Sequence, residues 1–211
     1  MENKMSIIIE RKPEAYIWEN GMPLLLISNQ EMVDLIAELI KQIKEDKLFK
    51  PDLIISIGNG GIFLGDAISK ILNLPHAIFR AKAYESKSDN HQEIKHQVII
   101  AAHSLFIDKD KKLNHLPANF TPYYKQVLII DHLADSGDTF HSIEKEMHKR
   151  HLGDYIIHTA CLWLKSSSKY EPNYFSTYIY PERESGKMPW IVEPKDMVIK
   201  KVREKLKFEK P

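Results

Sequence analysis

The chain has 211 residues, enough for one domain with appended segments. A formal net charge of +1 gives no reason to expect nucleic acid or an anionic membrane surface as partner, and an apolar content of 43% is enough for a proper core. The one cysteine, Cys161, excludes an intramolecular disulfide framework and a multi-cysteine metal site, and its apolar surroundings in sequence mark it as a buried structural thiol.

No secretory signal pattern opens the sequence, and no apolar run approaches the roughly 20 residues of a membrane span. The expectation is a soluble, cytoplasmic protein. Two short apolar bursts, Ile7–Ile9 and Leu24–Ile27, read as strands or edge segments. Ser28 or Asn29 can cap a helix that runs from Glu31 to about Lys47, because Val33, Ile36, Ile40 and Ile43 recur at helical spacing. Pro51 and Asp52 introduce the run LIISI, a buried parallel strand, followed by Gly58-Asn59-Gly60-Gly61 and a helix from Ile62 to Leu72. His76 to Tyr84 reads as the next strand. Glu85 to Gln126 begins very polar, offers one strand-like run from Val98 to Ile107, and reads as a hairpin or flap. After residue 140, the spacing of Phe140, Ile143 and Met147 gives a helix closing near Leu152-Gly153. Strands at Tyr155–Leu164 and Phe175–Tyr180 follow, then a polar loop, a short apolar burst at Trp190–Val192, and a terminal helix from Asp196 to Leu206.

Strands alternating with helices predict an α/β fold, with a mostly parallel central sheet, helices on both faces, and a flap and a small hood from the chain ends. In such sheets ligands sit beyond the carboxyl ends of the strands. Two strand–loop–helix units place polar loops there, GNGG and DHLADSGDT. The second follows the apolar run Val127 to Ile130. Consecutive N–H groups from Ser136 to Thr139, with two hydroxyls, can bind a monophosphate at a helix start. Asp131 and Asp135 would repel a phosphate. They fit sugar hydroxyls, a metal ion or a base nitrogen, so the stretch reads as a sugar-phosphate site, against the plainer reading of an ordinary turn with a helix cap. No GxxxxGK[ST] loop and no dinucleotide fingerprint is present. GNGG can bring backbone amides close to a second anion.

VLIIDHLADSGDT resembles the phosphoribosyl-pyrophosphate (PRPP) signature of the type I phosphoribosyltransferases, and PDLIISIGNGG resembles their upstream strand and pyrophosphate loop. CLWLK and MPWIVEP are similar to the base-binding part of the xanthine-guanine and hypoxanthine members. The resemblance implies one phosphoribosyltransferase-like domain over 1–211, with a flap at about 85–126 and a base-binding hood at about 165–196. It implies PRPP contacts from Asp131, His132, Ala134, Asp135, Ser136, Gly137, Asp138 and Thr139, and from Asn59, Gly60 and Gly61. Asp131 lies on the ribose side and toward Mg²⁺, which is held mainly through PRPP. Asp135 is the catalytic acid or base beside a purine nitrogen. Lys165 reads the exocyclic oxygen of the base, Trp190 stacks on its ring, and Ile191 is its neighbour.

The reaction so implied is transfer of 5-phosphoribosyl from PRPP to a purine, giving a nucleoside monophosphate and pyrophosphate, as in purine salvage. The flap would close to exclude water, and the assembly would be a homodimer or homotetramer. Two positions depart from the family pattern. His132 stands where a second acid is usual, and Asn59 stands where a basic residue is usual. These departures support a second reading, a PRPP- or nucleotide-binding regulator on the same fold. A third, transfer to a non-purine acceptor, would follow if Lys165 and Trp190 proved remote from the loop.

Overall fold

The computed structural model describes residues 9–11, 16–58, 60–79, 81–86, 95–100, 104–107, 113–116, 125–149 and 156–206. In chain order the strands and helices are β1 (Ile9–Arg11), β2 (Ile17–Glu19), β3 (Met22–Leu26), α1 (Asn29–Glu45), β4 (Leu53–Ile57), α2 (Gly61–Leu72), β5 (His76–Phe79), β6 (Ala81–Ser86), β7 (Lys95–Ile100), β8 (Ser104–Ile107) and β9 (Leu113–Leu116). They continue with β10 (Gln126–Ile130), β11 (Leu133–Ala134), α3 (Asp138–Lys149), β12 (Ile156–Lys165), β13 (Tyr174–Ile179), β14 (Trp190–Val192) and α4 (Pro194–Leu206). Ile7, Ile8, Asn59, the helix end at Leu152-Gly153 and the strand start at Tyr155 lie outside the described residues, as do 87–94, 101–103, 108–112 and 117–124 of the expected flap.

The main sheet runs β1-β13-β12-β10-β4-β5-β8-β9. From β1 to β5 the pairings are parallel, and β8 and β9 add on antiparallel. All five residues of β4 are buried, as expected of a central strand covered on both faces. The strand alternation sorts the core into two layers. Ile54, Leu128 and Ile130 face Leu35, Leu39 and Ile43 of α1 and Leu64 and Ile68 of α2. Ile55, Ile57, Val127 and Ile129 face Phe140, Ile143 and Met147 of α3.

Ser28 caps α1 with a reciprocal box: its Oγ accepts from the Glu31 N–H at 3.2 Å, and Glu31 Oε2 accepts from the Ser28 N–H at 2.9 Å. Such a cap stabilises the helix by about 1 kcal/mol. Asn73 ends α2 in the left-handed conformation at φ 54°. Where α2 crosses β4 the approach is so close that a Cβ on Gly65 would run into the Ser56 hydroxyl.

Three differences from the sequence expectation concern strands. The run His76–Tyr84 divides: β5 belongs to the main sheet, while β6 leaves it and pairs antiparallel with β7 as a separate hairpin. The apolar run 98–107 likewise divides between β7 and β8, and β8 and β9 extend the main sheet. Part of the 85–126 stretch is therefore sheet. The hood expected from the chain ends is a separate three-stranded sheet, in which β14 pairs with β3 and β3 with β2, so it is not confined to the 165–196 span. Among the described residues no helix is long and apolar enough to cross a membrane.

Candidate active site

The parallel register puts the carboxyl ends of β4, β10 and β12 at one edge, and the polar loops leave from there. β12 is the longest of these strands and outruns β10, which ends at Ile130. The chain then makes a short detour at Asp131 and His132 and rejoins β12 as β11, with Leu133 opposite Trp163 and Ala134 opposite Leu164. The next residues in that register are Asp135 and Lys165. Lys165 Nζ lies 2.9 Å from Asp135 Oδ1. The lysine side chain is only 14% exposed and the aspartate 66%, so the cation is set into the sheet edge and the carboxylate stands in front of it. Lys165 is thus a largely buried, paired cation rather than a solvated surface residue.

Asp131 is turned toward its neighbour. Its Oδ1 accepts the His132 N–H at 2.7 Å and sits 2.9 Å from His132 Nδ1. The His132 carbonyl accepts the N–H groups of both Leu162 and Trp163 at 3.1 Å, and its ring meets the buried Trp163 ring edge-on at 6.3 Å. The Nδ1–Cε1 edge of the same imidazole lies over Gly60, where any Cβ would collide with it. A Cβ on Gly61 would likewise run into the Ile130 carbonyl. The two sequence-identified loops are therefore in direct contact, with His132 between them. Asn59 is outside the described residues.

Around the expected phosphate loop, Ala134 is buried, Gly137 has φ 85°, and α3 starts at Asp138 with Thr139 in its first turn. Ser136 Oγ donates to Asp138 Oδ2 at 2.8 Å and accepts the Asp138 N–H at 3.3 Å. The Asp138 carboxylate sits at the helix start, where the dipole favours negative charge.

The segment after β12, SSSKY at 166–170, read from sequence only as a loop. It is closed onto the 136–137 turn. The Lys169 N–H donates to the Ser136 carbonyl at 3.1 Å, and Tyr170 Cβ occupies the space a side chain at 137 would need. The Tyr170 ring stacks on Phe140 at 5.4 Å, and its hydroxyl donates to Glu144 Oε1 at 2.8 Å with Thr159 Oγ1 3.0 Å away. Burial pushes the Tyr170 phenol well above its ordinary pKa, with the Glu144 carboxylate adding to the effect, so the group stays protonated and keeps donating. No local sequence pattern marks Tyr170; only the β11–β12 register does.

Trp190 is 64% exposed on β14, so it is not a core tryptophan. Its strand neighbour Ile191 rests against the α1-side core. The described contacts do not join Trp190 to Asp135 or Lys165. Cys161 is fully buried and desolvation pushes its thiol far up, in keeping with a structural role.

The family model described as Phosphoribosyl transferase domain matches residues 26–200. A search of curated proteins gives no match. Among solved structures, a purine phosphoribosyltransferase from Pyrococcus horikoshii superposes with TM-score 0.56 at 23% identity, covering 80% of this chain and 91% of that one. A Helicobacter pylori xanthine-guanine-hypoxanthine phosphoribosyltransferase gives 0.61 at 20%, covering 85% and 97%. A hypothetical protein from Neisseria gonorrhoeae with bound ppGpp gives 0.57 at 19%, covering 85% and 93%. At these identities the likeness is one of fold.

Proposed function

Since this chain belongs to the phosphoribosyl transferase domain family, we propose that it transfers 5-phosphoribosyl from PRPP to a 6-oxopurine. The observation that carries the base class is the Lys165–Asp135 pair at the carboxyl edge of the sheet. A lysine can only donate and a carboxylate can only accept. A 6-oxopurine offers a carbonyl oxygen to the first and a ring N–H to the second. Adenine offers an amino group where Lys165 needs an acceptor, and that mismatch leaves buried polar groups unpaired.

In this reading the N–H groups from Ser136 to Thr139 hold the 5′-phosphate at the start of α3, Asp131 faces the ribose, and Gly60 and Gly61 admit pyrophosphate. The purine nitrogen forms its bond to C1′ as the C1′–O bond to pyrophosphate breaks. Asp135 takes the proton that the base gives up. The developing positive charge on the sugar and the departing anion are both met by groups already in position. Trp190, exposed on β14, is the aromatic side chain available to stack on the base.

Among the described residues no three His, Cys, Asp or Glu side chains form a metal cage. Asp131 has one oxygen engaged by His132, so the donor set fits an ion that takes most of its ligands from PRPP. Bound there, Mg²⁺ would neutralise the leaving group's charge.

The test is direct. The purified full chain, given PRPP, a divalent cation and hypoxanthine, guanine, xanthine or adenine, should release pyrophosphate with one or more oxopurines and not with adenine. Absence of turnover with every base would sink the enzymatic reading. A second reading is a nucleotide-binding regulator without turnover. It is favoured by the histidine at 132 and by the engagement of Asp131 Oδ1 with it. Stabilisation by nucleoside monophosphates or ppGpp in a thermal-shift panel, with no pyrophosphate release, is the outcome that selects it.

A further inference from the structure

His132 departs from the family pattern, yet it is among the most firmly held side chains of the site. Its backbone N–H and carbonyl are both engaged, its ring lies against Gly60 on one edge and meets Trp163 nearby, and its Nδ1 is 2.9 Å from a carboxylate oxygen. A carboxylate can only accept, so Nδ1 carries the proton, and the neutral imidazole then has its lone pair on Nε2. Nε2 has no hydrogen-bonding partner among the described residues, and a third of the side chain is exposed. An imidazole that gives one N–H to a carboxylate and presents the other nitrogen is oriented as metal-binding histidines are.

The position of the ring matters as much as its tautomer. The ring lies at the contact between the ribose-side loop, through Asp131, and the glycine loop at Gly60. In the phosphoribosyltransferase reading, on which this inference rests, a divalent cation is carried in with pyrophosphate between those two loops. A carboxylate at 132 would offer that ion a hard oxygen. The histidine offers nitrogen, which suits Co²⁺, Ni²⁺ or Zn²⁺ far better than Mg²⁺.

We propose that His132 binds, through Nε2, the divalent cation that enters with pyrophosphate, and that it moves the protein's metal preference from Mg²⁺ toward transition ions. The substitution then replaces one kind of metal contact by another and leaves the site competent.

Calorimetric titration of the full chain with pyrophosphate, in Mg²⁺ and separately in Co²⁺, tests this without turnover. The wild type should bind the Co²⁺ complex about tenfold or more tightly than the Mg²⁺ complex, and His132→Asp should bring the two within about threefold. His132→Asn serves the same comparison if the aspartate variant does not fold. A coordination-specific signal is read in the unaltered protein. With Co²⁺ and pyrophosphate bound, the Nδ1–H of His132 should appear as an exchangeable proton resonance shifted far outside the diamagnetic window, absent in the variant. Equal affinities for the two complexes in the wild type, or bound Co²⁺-pyrophosphate without that resonance, overturns the inference and leaves the phosphoribosyltransferase reading intact. Pyrophosphate binding with neither ion overturns both. Co²⁺-selective binding with the shifted resonance, but no transfer to any base, keeps the inference and removes the enzymatic reading.

Discussion

Gly137 is tightly constrained within the 136–139 turn proposed for the 5′-phosphate. Its φ of 85° is open to glycine and strained for other residues, and a methyl group there would meet Tyr170 Cβ. Gly137→Ala has to move the loop or the tyrosine, and a displacement of about 1 Å at a positioning group costs about 100-fold in kcat/KM. A substitution that leaves PRPP kinetics untouched would remove 136–139 from the phosphate site. Lys165 gives the complementary test. Lys165→Gln keeps a hydrogen-bond donor but loses the charge, and a charged hydrogen bond contributes about 1.5–3 kcal/mol. The KM for the base should rise by about 10-fold or more with little change in the KM for PRPP. A rise in both together would place Lys165 outside base recognition.

At the scale of elements, the site is a consequence of strand register. Helix α1, the apolar runs of β4 and β10, and the polar loops behind them were legible, because periodicity is written locally. The face of α1 was read only in part: Ile40 and Ile43 are buried with Met32, Leu35 and Leu39, whereas Ile36 is partly buried and Val33 is 58% exposed. The short β11 and its pairing with β12 were not legible. Two residues, Leu133 and Ala134, carry no period of their own, and it is their register that sets Asp135 beside Lys165 and lays 166–170 over the phosphate loop. The division of 76–84 and of 98–107 was hidden for a related reason: strand-like sequence on both sides of Arg80, and on both sides of His103, does not say that the chain changes sheets there. β2 pairs with β3 locally, across the Asn20-Gly21 turn, whereas the third strand of the hood sheet depends on a pairing between residues 24–26 and 190–192, far apart in sequence. Tyr170 tests the lesson. Tyr170→Phe keeps the stack on Phe140 and the packing over Gly137 while losing the bond to Glu144. It should reduce stability by about 1–2 kcal/mol with a small effect on PRPP. Tyr170→Ala loses the stack as well, and should raise the KM for PRPP by a larger factor than that for the base. Equal effects of the two variants on PRPP would mean the clamp acts through the hydroxyl alone.

For the molecule as a whole, the same close packing that builds the sheet edge also makes stability depend on pH. His76 on β5 is 5% exposed, and its Nε2 is 2.7 Å from the Ser56 hydroxyl under α2, where only a glycine at 65 permits the approach. Desolvation holds its pKa below the ordinary 6.5, partly offset by the Asp66 carboxylate and reinforced by Lys70. The folded chain therefore binds a proton at His76 less readily than the unfolded chain. Below about pH 6.5 the unfolded state gains a proton that the native state refuses, so the stability this site contributes is complete above that pH and declines as pH falls toward the native pKa. One such group gives a slope of at most about 1.4 kcal/mol per pH unit. Denaturant titrations at steps from pH 7.5 to 5.0 should show wild-type stability falling through this window. His76→Gln, which retains a hydrogen-bonding partner for Ser56 but has no proton to bind, should fall less steeply over the same steps. Identical slopes in the two proteins would mean that His76 is protonated as readily in the folded chain as in the unfolded one, which its burial between β4 and α2 argues against.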